Sequence, residues 1–323
     1  MTDFSKVNIH CSSIASIVNN GNKLTPKKLY EKSVNFKDFW QSKYDLIEES
    51  KRSQKKSINI LDKIAFHTNK ISELEPFKED EPLSSGAKTH LKRVYGYAKY
   101  GKWCAAADKG TQYTNKGVLA EQASIELISK VRGILFEKNE ERVANDYLTG
   151  IPDIFLGENI MKAEYIVDVK TSWDIETFLV NLGKPLSDQY WWQLQGYLAI
   201  TGARLGEVAY CLVNTPESIL NNERYRLKER MDVVTDQDPK YLLAEQQLIN
   251  NMTFDDIDEK DRIIRFLVER DDAAIEKIYK KVIECRKYLI EIEEMHKQGV
   301  FLAKEPTEPD DIEEEVEESE ENV

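Results

Sequence analysis

The stretch "EYIVDVKTSW", residues 164–173, sets an acid and a base inside an apolar run. Tyr165, Ile166, Val167 and Val169 predict a buried strand. Asp168 and Lys170 stand two apart, and residues i and i+2 of a strand leave the same face. Burying a lone charge is costly, so this pair needs a compensating site. A plain salt bridge between the two is one answer. The surrounding sequence offers more than that.

The order around this strand is regular. "KGVLAEQASIELISKVRG" (116–133) predicts an amphipathic helix with Leu119, Ala123, Ile125, Leu127, Ile128 and Val131 as its apolar positions. "ERVANDYLTGIPDIFLGE" (141–158) predicts two short strands about a turn at Gly150. After the third strand, "DQYWWQLQGYLAITG" (188–202) predicts a helix started by Asp188 and stopped by Gly202. "GEVAYCLVNTP" (206–216) is a fourth strand. The resulting α-β-β-β-α-β order implies an α/β fold with a mixed sheet. "RIIRFLVERDD" adds a strand, and 272–298 a long helix with Ile275, Ile278, Val282, Tyr288, Leu289 and Ile292 inward.

Three regions follow. Residues 1–110 read as a helical addition packed on the core, 111–300 as the core itself, and 301–323 as an acidic tail too polar to fold alone. In the first region, "LTPKKLYEKSVNFKDFWQSKYDLIEESKRSQKK" has helical spacing, and "LSSGAKTHLKRVYGYAKYGK" is a Ser-capped basic helix. Its Lys and Arg suit a solvated face or a nucleic-acid surface equally.

The net charge of −13 hides a segregation. Residues 1–110 carry 20 Lys and Arg against 13 Asp and Glu, whereas the tail carries 1 against 11. An acidic total therefore does not exclude a polyanionic partner at a locally basic surface. No apolar run reaches the length of a membrane span, and the first residues lack the pattern of a signal peptide. Cys11, Cys104, Cys211 and Cys285 are scattered, as free thiols in a reducing cytoplasm would be.

Two further acids accompany Asp168. Asp153 lies in "GIPDIF", and Glu121 sits early in the helix at 116–133, after Gly117, whose missing side chain would allow a close backbone approach. Hard oxygen ligands of this kind suit Mg²⁺ or Mn²⁺. Asp153, Asp168 and Glu121, with the carbonyl of Val169, are the candidate ligands. Such an ion would activate water and polarise a phosphoryl group, and Lys170 would stabilise the charge that develops. Phosphodiester hydrolysis is the expected chemistry.

Pro152-Asp153 followed by Asp168-x-Lys170 resembles the PD-(D/E)xK nuclease motif. Gln193-x-x-x-Tyr197 on the next helix resembles the QxxxY motif of the exonuclease branch that includes RecB-type nucleases. The flanks resemble the YqaJ-like phage recombination nucleases related to lambda exonuclease. "IHCSSIASIVNN" (9–20) is similar to that group's Ser-rich first helix, although His10 stands near the place of its usual Arg.

The resemblance implies a restriction-endonuclease-like αβββαβ core and a Mg²⁺-dependent exonuclease acting on duplex DNA ends in phage-type recombination, replication or repair. Glu121, Asp153, Asp168, Lys170, Gln193 and Tyr197 would then be the catalytic set. Ser12 and Ser13 would approach the DNA end at a helix start, and Lys116 the DNA backbone. It further implies a ring-shaped trimer and a single-strand annealing or single-strand-binding partner. An endonuclease or nickase on the same core is the nearest rival. A non-catalytic scaffold binding a partner through its acidic tail is the second.

Overall fold

The computed structural model describes residues 2–18, 26–52, 54–77, 83–102, 112–233 and 235–299. In chain order the elements are β1 (Ile9–His10), α1 (Ile14–Val18), α2 (Pro26–Asp45), α3 (Lys55–Leu74), α4 (Ser85–Tyr100), α5 (Gln112–Leu119), α6 (Glu121–Arg132), β2 (Val143–Ala144), β3 (Leu148–Gly150), β4 (Ile154–Gly157), β5 (Ala163–Thr171), α7 (Ile175–Leu179), α8 (Asp188–Thr201), β6 (Leu205–Cys211), α9 (Glu217–Met231), α10 (Pro239–Met252), β7 (Ile263–Glu269) and α11 (Asp272–Gln298).

The strand at 164–173 is the centre of this arrangement. β5 pairs antiparallel with β4 and parallel with β6, and β7 closes the far edge, giving the order β4-β5-β6-β7. Both faces of β5 are covered, which is why its sequence is apolar on both sides. Val167 and Val169 pack with Ile125 and Ile128 of α6. Ile166 packs with Leu194 and Leu198 of α8, together with Val282 and Leu289 of α11. Truncating any one of these to Ala should cost roughly 2–5 kcal/mol.

The mixed α/β core with helical additions and a long last helix is thus as the sequence implies. Two details differ. The helix expected over 116–133 is broken at Ala120 into α5 and α6, and Leu119, Ala123 and Val131 are exposed. Gly117 meets no close neighbour, so no tight approach explains it.

The second difference is the hairpin. β3 and β4 do not pair, and Gly150 ends β3 without turning the chain into β4. β3 instead forms a second sheet with β2, antiparallel, and β1, parallel. The turn between β2 and β3 is built by Asn145, whose Oδ1 accepts from the amides of Tyr147 and Leu148. Gly150 is needed for space: a Cβ there would lie 2.7 Å from the Tyr197 ring and 3.1 Å from Cys11 Sγ. A Cβ at Gly196 would clash with the Ile14 side chain. Two missing side chains therefore let the N-terminal segment and β3 close on α8.

In the region 1–110, Phe4, Ile9, Ile14 and Ile17 enter the core, as do Leu91 and Tyr95 of α4. The Ser84 side chain caps α4 by accepting from Ala87 N. Helices α2 and α3 instead pack mainly on one another. Cys11, Cys211 and Cys285 are buried free thiols. Cys104 and the acidic tail fall outside the described residues. Among the described residues no helix is long and apolar enough to cross a membrane.

Candidate active site

Alternation on β5 sends Asp168 and Lys170 to the α8 face, beside Ile166. Asp168 is 1% exposed. Its Oδ2 lies 2.7 Å from Lys170 Nζ, an ion pair. Its Oδ1 accepts from Gln193 Nε2 at 3.1 Å. Gln193 and Tyr197 share a face of α8 because they are one turn apart. The same amide of Gln193 also donates to Tyr197 Oη at 3.0 Å. A chain of three polar groups therefore runs from the buried acid to the ring lodged against Gly150.

Asp153 reaches the site from the loop before β4. Its Oδ2 accepts from the amide of Val169 at 2.6 Å, beyond the end of the β4–β5 ladder. Asn139 holds that loop, its amide N donating to Asp153 O at 2.7 Å and its Nδ2 to Pro152 O at 2.8 Å. Burial, and next the charge of Asp168, push the Asp153 carboxyl up to about 7, against the pull of Lys170. Burial acts to lower Lys170, but the charges of Asp168 and Asp153 outweigh it and hold the lysine above its ordinary value.

Glu121 lies at the start of α6, near enough to raise Asp153 further. Its Oε2 accepts from Lys138 Nζ at 2.6 Å. Among the described residues no three Asp, Glu, His or Cys side chains are gathered so as to hold a metal ion. What the structure brings together is Asp153, Asp168, Lys170, Gln193 and Tyr197, with Glu121 turned aside to Lys138.

Of the three residues expected at DNA, Lys116 is enclosed in the protein, while Ser12 and Ser13 lie in a segment packed on α8. Lys116 is fully buried, and its ammonium donates to Trp173 O at 2.6 Å between the rings of Trp173 and Phe254. Burial lowers its pKa to about 8. It offers no surface cation to a phosphate backbone, so that expectation is corrected. Ser12 and Ser13 lie within a short 3-10 turn, Cys11–Ser13, whose cap position is His10. Ser12 is exposed and Ser13 half-buried.

Other contributors were not apparent in the sequence. The Tyr190 ring lies 4.8 Å from Lys170 Nζ and packs edge-on against Tyr210, 6.1 Å away. Burial pushes the Tyr210 phenol up to about 12. Lys138 and Asn139 are the others. Lys138 follows the α6 C-cap by a few residues, and only the folded loop returns it to Glu121 and Asp153.

The residues present fit a divalent ion in part. Two carboxylates converge at the end of β5, the buried Oδ2 of Asp168 has only the Lys170 ammonium beside it, and all the donors are hard oxygens. Glu121 would join them only on leaving Lys138.

No family model matches the chain, and no curated protein matches it. Solved structures do. A phage-related exonuclease from Haemophilus somnus 129PT superposes with a TM-score of 0.54 at 21% identity, covering 90% of this chain and 97% of the other. An alkaline exonuclease from Laribacter hongkongensis matches at a TM-score of 0.45 and 14% identity, over 67% of this chain and 86% of its own. The first likeness spans nearly the whole of both chains and establishes the fold: a mixed α/β core of the kind found in that exonuclease, with helical additions and a long C-terminal helix.

Proposed function

We propose that this chain is a divalent-metal-dependent nuclease that hydrolyses phosphodiester bonds at DNA ends. The observation that carries the reading is an imbalance of charge at the end of β5. Asp153 and Asp168 face Lys170, the nearby Lys138 being engaged by Glu121, and the buried Asp168 Oδ2 has that one ammonium as its contact. A purely structural ion pair has no use for that arrangement. Asp153, Asp168 and the carbonyl of Val169 would hold Mg²⁺ or Mn²⁺, with Glu121 joining once freed from Lys138. The ion would supply Lewis-acid polarisation of the phosphoryl group and a more acidic water.

The chain's own groups supply the rest. Lys170 remains an ammonium because the two carboxylates outweigh its burial. It can orient the attacking water and offset charge as that builds on the phosphate oxygens. Asp168 holds it at 2.7 Å, and the Tyr190 ring limits where else it can swing. Gln193 fixes the Asp168 carboxylate through Oδ1, which aims Oδ2 at the lysine. Tyr197 in turn fixes Gln193. Preference for ends is supported by the fold shared with the phage-related exonuclease. Contact with the DNA should be mostly to its backbone, and so should weaken as salt rises.

The test is a time course on end-labelled linear duplex DNA beside a covalently closed circle of the same sequence, in Mg²⁺ and in EDTA. Degradation of the linear DNA alone, and only with Mg²⁺, is expected. Cutting of the circle would make the enzyme an endonuclease. Intact linear DNA in both Mg²⁺ and Mn²⁺ overturns the reading.

A further inference from the structure

Helices α2 and α3 lie along one another and pack on little else among the described residues. Ser33, Ser57, Ile60 and Leu74 are buried in this helical pair. Several aromatic rings of the pair stay in solvent, with Phe39 47% and Phe66 57% exposed. The rings are ordered. Phe36 of α2 stacks on His67 of α3 with centroids 5.3 Å apart and planes 13° apart, and Phe66 meets the same His67 edge-on at 5.2 Å. A row of rings thus crosses from one helix to the other. Lysines stand over it, with Lys43 Nζ 4.5 Å from the Phe39 ring and Lys70 Nζ 5.6 Å from Phe66.

Exposed apolar area concentrated in this way marks a binding surface. The mixture of groups says what it binds. An apolar protein helix seated on the rings would strip water from the lysines and give them no counter-charge. Intact duplex keeps its base faces stacked inside, so it could use only the lysines. An unpaired strand offers both halves of the match: bases to lie on the rings and phosphates to meet the ammonium groups. The balance of charge agrees, since residues 26–77 carry eleven Lys and Arg against eight Asp and Glu in a chain of net charge −13.

We propose that the α2–α3 pair is a docking surface for single-stranded DNA, the strand that an end-directed nuclease leaves behind. Its place in the reaction rests on the nuclease reading above, but its binding chemistry does not. The bases stack on Phe36, Phe39 and Phe66, while Lys43 and Lys70 contact the backbone.

Fluorescence anisotropy with a labelled 20-nucleotide oligo-dT in EDTA tests it without any cleavage. The comparison takes the wild type, the pair Phe39→Ser/Phe66→Ser, and the pair Lys43→Glu/Lys70→Glu, each checked for folding by circular dichroism. Each surface pair should lose roughly tenfold or more in affinity. The lysine pair should also flatten the salt dependence, and the phenylalanine pair should leave duplex binding within about twofold. Wild-type affinity in both surface pairs overturns the proposal. So does unchanged oligo-dT affinity in a phenylalanine pair that sedimentation shows to be monomeric where the wild type is not; the face is then an interface between copies. A wild type that binds oligo-dT through this surface but never cuts DNA would refute the nuclease reading and leave this one standing.

Discussion

Two acids are buried on neighbouring strands of the four-stranded sheet, one on each face, and they are neutralised in opposite ways. Glu207 of β6 is fully buried and points to the α6 side. Arg132 pairs with its Oε1, while Arg265 and the Tyr165 hydroxyl donate to Oε2. Two guanidinium groups and a phenol saturate one carboxylate. Asp168 of β5 is as deeply buried on the α8 side, yet it shares one lysine with Asp153. The first acid is finished within the protein, and the second is left wanting positive charge. Burial of an acid alone says little about function. The informative quantity is the charge balance around it and whether every oxygen has a donor.

Replacing each acid should separate these cases most sharply. Asp168→Asn should lower single-turnover cleavage by roughly a thousandfold or more, as loss of a central transition-state or metal contact does, with duplex binding in EDTA held within about threefold. Cleavage at the wild-type rate would erase the distinction between the two acids. Glu207→Gln should do the reverse. Leaving Arg132 and Arg265 without their carboxylate should cost roughly 3–5 kcal/mol of stability in urea titration. The cleavage rate per folded molecule should stay near wild type. A mild loss of stability with a large loss of rate would move Glu207 into the catalytic machinery.

Lys170→Met tests the open side from the opposite sign. Cleavage should fall roughly a hundredfold, corresponding to about 3 kcal/mol of lost charge stabilisation. Calorimetry should still register Mg²⁺, and the absence of binding there would show that the lysine holds the carboxylates in place for the ion. Asp153→Asn should give the smallest effect on the folded state, and a favourable one. The folded carboxyl is raised, to about 7, above its unfolded value near 4. The stabilising contribution of its protonated form is therefore complete below about pH 4 and is lost as pH rises through 7. In EDTA at pH 8 the Asn variant should be more stable by roughly 1–3 kcal/mol, with the gain shrinking as the pH falls toward 4. A variant less stable than wild type at pH 8 would mean that Asp153 is as well compensated as Glu207.

Much of the open site was readable because it is local. Asp168 and Lys170 face one way by the period of a strand, and Gln193 and Tyr197 share a face by the period of a helix. Asp153 stands out in the sequence as an acid amid the apolar residues of "GIPDIF". The saturated site was not readable. Glu207 looks like an ordinary strand acid in "GEVAY", and its partners lie at the end of α6 and on β7, brought together only by the sheet register. Lys116 misled for a related reason. Its place at the DNA backbone is implied by the resemblance alone, whereas Trp173 and Phe254, distant in sequence, enclose it. Gly150 reads as a turn because glycine commonly serves there. The ring that actually requires it sits forty-seven residues later, at Tyr197.

The first strand has a consequence for folding. Ile9 pairs with Leu148, Ile14 fits against Gly196, and Arg286 donates to the Val7 carbonyl. Residues 7–14 therefore have to wait for partners far along the sequence before they find their places. Contacts so far apart along the chain close slowly. Residues 7–14 should therefore be among the later pieces of the core to lock against α8.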